Sequence, residues 1–329
     1  PVYKKEEKTS INNYRPISIL PSVSKIFEKT IYKQIYVYMK QHLSQYICGF
    51  REGYNSEYCL MLMLEKWKRS LDKKNIAGAL LTDLSKAFDC LDHELLIAKL
   101  NAYGFDRKSL LYIYSYLTER KHRTKVNNSF SKWTNITSGI PQRSILGPLL
   151  FNMYLNDIFY FLDDNLIASY ADDNTPYAVG KDVETVLNKL NNHTRILSLL
   201  FKDNYFKMNV EKCHLLITSQ NDNISTTING INILNKKSVK LLGIKIDNNL
   251  NFKEHILDLC KKANLKLHAL ARVSHLIGQR KLRILMKAFV ESQFGYCPLL
   301  WMFHSRKINN RINKLHERAL RIAHKKYKS

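Results

Sequence analysis

Two adjacent carboxylates, Asp172 and Asp173, stand in Tyr170-Ala171-Asp172-Asp173 between two apolar runs, Leu166-Ile167-Ala168-Ser169 and Asn174-Thr175-Pro176-Tyr177-Ala178-Val179. The pattern predicts a β-hairpin with the acidic pair at its tip. Two neighbouring anions repel, and desolvating either is costly, so the tip must meet water or cations. A third carboxylate, Asp83, ends the run Gly78-Ala79-Leu80-Leu81-Thr82, which predicts a strand. Carboxylates at the ends of adjacent strands can jointly hold hard divalent ions, and a pair of such ions is the machinery of nucleotidyl transfer. The plainer reading of Asp-Asp is a polar turn. Asp163-Asp164, between a helix-like run and the strand, is read that way.

The elements around these residues must bring residue 83 to residue 172. Strand-like runs at 77–83, 166–171, 174–179 and 213–218 alternate with helical stretches near 93–102, 107–118, 147–162 and 182–202. A hairpin is expected over 121–137 around Asn127-Asn128, and Ser138-Gly139-Ile140-Pro141-Gln142 is a break. The core order is β, α, β, β, α, β, the split βαβ arrangement of ferredoxin-like sheets. It sets the strand ending at Asp83 beside the hairpin. Upstream, Ser24 is the expected cap of a helix to about residue 42, with Ile26, Phe27, Ile31 and Ile35 as its apolar stripe. A second helix, about 56–73, turns Leu60, Leu64 and Trp67 inward. Beyond 220 come short strands at 228–233 and 238–246, then helices near 252–275, 279–294 and 305–326. The expected divisions are 1–76, 77–250 and 251–329.

The 329 residues are 45% hydrophobic, enough for two or three subdomains with real cores. A net charge of +24 is unlike that of an ordinary metabolic enzyme. It points to a polyanionic partner, nucleic acid first and an acidic membrane surface second. The excess is concentrated: from Lys261 onward there are seventeen Lys and Arg against Glu291 and Glu317. Six cysteines without CxxC spacing argue against zinc and against a disulfide framework, hence for a reducing, intracellular setting, nucleus or cytoplasm, and not secretion. There is no membrane-length apolar run and no signal peptide, and a start at Pro1 reads as a piece of a longer polypeptide.

Seven segments occur in an order and spacing that resemble the reverse transcriptases of non-LTR (LINE-type) retrotransposons, jockey-like elements above all. They are Asn13-Tyr14-Arg15-Pro16-Ile17-Ser18, Gly49-Phe50-Arg51, Asp83-Leu84-Ser85-Lys86-Ala87-Phe88-Asp89, Gly139-Ile140-Pro141-Gln142 through Gly147-Pro148-Leu149-Leu150-Phe151, Tyr170-Ala171-Asp172-Asp173, Asn209-Val210-Glu211-Lys212 and Leu242-Gly243. The resemblance implies an α/β (α+β) right-hand polymerase, with fingers at 1–76, a ferredoxin-like palm at 77–250 and a basic helical thumb at 251–329. It implies addition of dNTPs to a DNA primer on an RNA template with two Mg²⁺ ions, and no membrane partner.

Carried over by position, Asp83, Asp172 and Asp173 look like the metal-binding catalytic carboxylates, with Lys212 as a candidate acid for the leaving pyrophosphate. Phe88 resembles a gate beneath the sugar, although its type alone would suit a core. Gln142 lines the nucleotide pocket. Arg15 resembles a fingers arginine meeting the triphosphate or templating base, its alternative being a surface salt bridge. Arg51 is a template-contact candidate, and Leu242-Gly243 is similar to a primer-gripping hairpin. Two positions depart from the family. Arg143 stands where Gly is usual, and could crowd the pocket or point away. Asn55-Ser56-Glu57 replaces a small hydroxyl-bearing pair. The alternative reading is a truncated, catalytically impaired retroelement remnant that only binds nucleic acid. Without an endonuclease, target-primed integration by this stretch alone is not expected.

Overall fold

A computed structural model describes residues 1–3, 7–15, 17–162, 166–219, 223–302 and 305–324. At its centre lies a four-stranded antiparallel sheet in the order His214–Ile217, Ile76–Leu81, Asp173–Gly180, Ile167–Tyr170. In chain order the strands stand 4-1-3-2, so the expected ferredoxin-like arrangement is met. Ile76–Leu81 is apolar throughout because both its faces are covered. Ala77, Ala79 and Leu81 share a core with Leu60, Leu64 and Trp67 of the helix Ser56–Asp72. Leu80, on the other face, packs with Val186 and Leu190 of the helix Val183–Asp203. Gly78 lets that second helix close on the sheet, since a Cβ there would lie 2.8 Å from Val186 Cγ1.

Most predicted helices form within a few residues of expectation. Asp92, Asp106 and Asp182 cap their helices by accepting from the amides of Leu95, Ser109 and Thr185. The first long helix differs. It spans Ser22–Met39 with no side-chain cap, so Ser24 is not its N-cap. Ile26 and Phe27 are exposed, and the buried face runs through Glu28, Ile35, Tyr36 and Met39. The apolar stripe is displaced because a glutamate points inward. Glu28 Oε2 accepts from the Ile145 and Leu146 amides at 2.5 and 3.4 Å, capping the helix Leu146–Leu155 from a distant part of the chain.

The two strands expected beyond 220 are two hairpins. Ser225–Ile228 pairs with Ile231–Leu234, and Ser238–Leu241 with Ile244–Asp247. Both turn on two residues with positive φ, Asn229-Gly230 and Leu242-Gly243, as type I′ turns require. The basic helices Lys253–Val273, Gln279–Phe289 and Arg306–Ala323 share a core of Leu267, Leu282, Met286 and Ile322. The central core also draws on residues from Cys48 to Trp301, so packing is continuous across positions 76 and 250. Among the described residues no helix is long and apolar enough to cross a membrane.

Candidate active site

The carboxylates meet because of strand register. Ala79 faces Tyr177, and two strand ends further on the Thr82 amide and hydroxyl both donate to Asn174 O, at 3.3 and 2.5 Å. Asp83 therefore emerges beside Asp173. Tyr170 pairs with Asp173, so the turn proper is Ala171-Asp172, and Asp173 already belongs to the strand. Asn174, fully buried, accepts from Ser169 Oγ at 2.8 Å and donates to Asp172 O at 3.3 Å. The turn is backed by the loop at Gly49: the Cys48 amide donates to Ser169 O, and Asn152 Nδ2 donates to Gly49 O. A Cβ on Gly49 would lie 2.4 Å from the Ala171 nitrogen.

Burial first, and then the negative charges of Asp172 and Asp83, push the Asp173 carboxyl up to about 6. Lys212, in the short 3₁₀ turn Val210–Lys212, lies 3.6 Å from Asp83 Oδ2. The Asn209 amide donates to Asp83 O and fixes that loop to the strand end. With 55% and 41% of these side chains exposed, the ion pair adds little stability. Among the described residues no three His, Cys, Asp or Glu side chains converge tightly enough to form a finished metal-ligand set. The donors are nevertheless all hard carboxylate oxygens, and Asp173 carries an electrostatic cost that a divalent cation would offset. The residues fit Mg²⁺ in chemistry.

A second wall adjoins them. Phe88 is half-buried, stacked on Phe151 at 4.2 Å and meeting Phe50 edge-on at 6.1 Å. The ring is thus clamped between two others, as the core reading expected. Gln142 Nε2 donates to Asp89 Oδ1 at 2.8 Å, and the Ile140 amide donates to Phe88 O. Gly139, at φ 81°, makes this junction possible: a Cβ would lie within 2.9 Å of three Asp89 backbone atoms. Arg143 follows at φ 66°, the left-handed region that favours glycine, and its side chain is exposed.

Other expected residues lie apart. Arg51 is only 8% exposed, with Nη1 donating to Ser44 O and Ile47 O and its guanidinium 4.4 Å from the Tyr54 ring. It closes the 44–51 loop instead of reaching outward, which corrects its expected contact with a template. Arg15 sits on the short strand Tyr14–Arg15, paired with Val2–Tyr3; its side chain, Pro16 and Asp163-Asp164 lie outside the described residues. Leu242-Gly243 form the hairpin turn described above, and the Tyr296 hydroxyl donates to Leu242 O at 2.7 Å. Asn55 has a local use, capping the helix Ser56–Asp72, while Glu57 accepts from the Leu299 amide. The residues missed from sequence are Asp89 and Glu28. Asp89 lay inside a segment of the resemblance, whereas nothing local marks a helical glutamate.

The ferredoxin-like sheet thus carries Asp83, Asp172 and Asp173 at one end, next to a wall of Phe88 and Gln142. The chain belongs to the reverse transcriptase (RNA-dependent DNA polymerase) family, whose model matches residues 3–246, and its fold is the right-hand polymerase. It is 27% identical over 95% of its length to a probable RNA-directed DNA polymerase from transposon BS of Drosophila melanogaster, covering 36% of that protein. It is 28% identical over 83% of its length to the RNA-directed DNA polymerase from mobile element jockey of the same species, covering 30% of it. The jockey-like resemblance is thus borne out, and the chain spans about a third of the length of these curated relatives. A looser likeness is to a telomerase from Candida tropicalis in complex with a TWJ fragment of telomeric RNA. There the TM-score is 0.49 and the identity 10%, over 83% of this chain and 46% of that one.

Proposed function

We propose that this chain is the RNA-directed DNA polymerase module of a retrotransposon, adding dNTPs to a DNA primer on an RNA template. The observation that carries the reading is the meeting of Asp83 with Asp172 and Asp173, felt in the raised Asp173 carboxyl. Asp83, Asp172 and Asp173 would hold two Mg²⁺ ions, which supply charge neutralisation at the triphosphate and a more acidic primer 3′-hydroxyl. The chain's own side chains do the rest. Phe88, held by Phe151 and Phe50, presents a fixed face to the sugar and leaves no room for a 2′-hydroxyl. Gln142, held by Asp89, lines the base side. Lys212 keeps a proton within reach of the leaving pyrophosphate while paired with Asp83. The dense cations of the last three helices take the phosphates of the template–primer duplex. The reading places the protein inside the cell, in nucleus or cytoplasm.

The test is primer extension on an RNA template with Mg²⁺ and dNTPs, run beside Asp172→Asn and Arg143→Gly. Extension by the parent and background-level synthesis by Asp172→Asn are expected. If neither the parent nor Arg143→Gly extends while all three bind RNA, the binding-only reading replaces this one.

A further inference from the structure

Residues 120–138 hold five Lys and Arg, together with His122, and no Asp or Glu. They form a narrow ribbon closed by two short ladders, Lys121–His122 against Thr134–Asn135 and Lys125–Val126 against Ser129–Phe130. Every residue from 121 to 135 is exposed. A lone two-stranded ribbon is marginal in water, and this one has no core of its own. Its stiffness comes from Arg123, whose guanidinium lies 4.1 Å from the Phe130 ring centre and 4.7 Å from that of Trp133. Lys125 lies 5.4 Å from the Phe130 ring. The rings remain open, Phe130 at 51% and Trp133 at 60% exposure. Among the described residues none of the five cations is paired with a carboxylate.

Unopposed cations interleaved with exposed aromatic faces bury no core. They are the combination that holds unpaired nucleic acid, cations on phosphates and rings on bases. A duplex offers the phosphates but no free base to stack. The ribbon also starts at the pocket. The Ile136 amide donates to Arg120 O and closes its base, Ser138 Oγ donates to Asp89 O, and the Gly139 amide donates to Leu91 O. Asp89 is the residue that holds Gln142.

We propose that the 121–135 ribbon is a binding arm for the unpaired RNA template ahead of the nucleotide pocket. Lys121, Arg123, Lys125 and Lys132 take the template phosphates, and Phe130 and Trp133 stack on its bases. The strand's identity rests on the polymerase reading; its capture does not, because binding needs neither dNTP nor turnover.

The test uses the full chain and fluorescence anisotropy over a range of KCl. Three primer–template duplexes are compared: blunt, with a 5′ RNA template extension, and with a 5′ DNA extension on the primer at the far end. The variants are the combined Lys121→Gln, Arg123→Gln, Lys125→Gln, Lys132→Gln chain and, separately, Trp133→Ser. All of these positions are exposed, and circular dichroism checks that the fold is kept. The parent should bind the template-extended duplex tightest. The four-fold variant should lose about tenfold on that duplex, with a shallower salt slope, and less than twofold on the other two. Trp133→Ser should lose about tenfold on the template-extended duplex alone. Equal losses on all three duplexes, no loss on any, or a loss that follows the primer extension would each overturn the proposal. Failed primer extension by both the parent and Arg143→Gly would sink the polymerase reading and leave this binding comparison standing.

Discussion

The Ala171-Asp172 turn and the Leu242-Gly243 turn are hairpin connections of the same two-residue length, held by opposite means. Ala171 has φ 58°, while Leu242 and Gly243 have φ 45° and 85°. The first turn rests on backbone: Gly49 approaches so closely that no Cβ fits between. The second hangs from one phenol, Tyr296, which also lies 2.9 Å from Ser56 Oγ. A backbone brace fixes position with no slack, which suits carboxylates whose mutual energy changes steeply with distance. A side-chain brace ties its turn to the segment between the C-terminal helices, and it can lengthen or break at modest cost.

Gly49→Ala should therefore do the most damage. The new methyl must displace the Ala171-Asp172 turn, costing about 2 kcal/mol of stability and, on the proposed function, about 100-fold in primer extension. Urea denaturation and single-nucleotide incorporation measure the two losses, and full turnover in this variant would break the rigid half of the comparison.

The pH dependence comes next. Asp173 is raised from 3.8 to about 6, so the folded chain holds this proton more tightly than the unfolded one. Its stabilising contribution is complete below the unfolded value and is lost as pH rises through about 6. Melting temperature in EDTA should fall across that window. Asp173→Asn should flatten the fall, and added Mg²⁺ should move it to lower pH. A stability gain with rising pH that Asp173→Asn abolishes would contradict the electrostatic account.

Tyr296→Phe removes one hydrogen bond from the adjustable turn. About 1 kcal/mol and a few-fold loss of template–primer affinity are expected, read by urea denaturation and titration. A loss as large as that of Gly49→Ala would erase the distinction between the two braces. The smallest effect falls on Arg143, left-handed like Ala171 yet exposed. Arg143→Gly relieves about 1 kcal/mol of backbone strain and should raise the unfolding midpoint slightly. A drop in stability would mean that the arginine side chain makes a contact worth more than the strain.

Much of this was legible beforehand because it is local. The run Ile76–Leu81 and the strands either side of the Asp172-Asp173 turn each express a preference over a few residues. Where the reading failed, a distant partner decided. Ile26 and Phe27 have the side chains of a buried stripe, but Glu28 took the inward face because the helix starting at Leu146 offered its unsatisfied amides. Arg51 has the chemistry of a phosphate ligand, and the carbonyls of Ser44 and Ile47 consumed it. Asn229-Gly230 is a local signal too: that pair is a strong hairpin mark, and it divides the expected strand in two.

The sequence by itself determined the strand order, the charge and the identity of the three carboxylates, since alternation, turn chemistry and motif spacing are properties of neighbouring residues. Tertiary structure alone decided that the Thr82 hydroxyl donates to Asn174 O, that the Ala171-Asp172 turn lies too close to Gly49 for a side chain there, and that Tyr296 reaches Leu242. These are contacts between segments tens to hundreds of residues apart. They depend on the closeness of packed backbones, and close packing is a property of the folded whole.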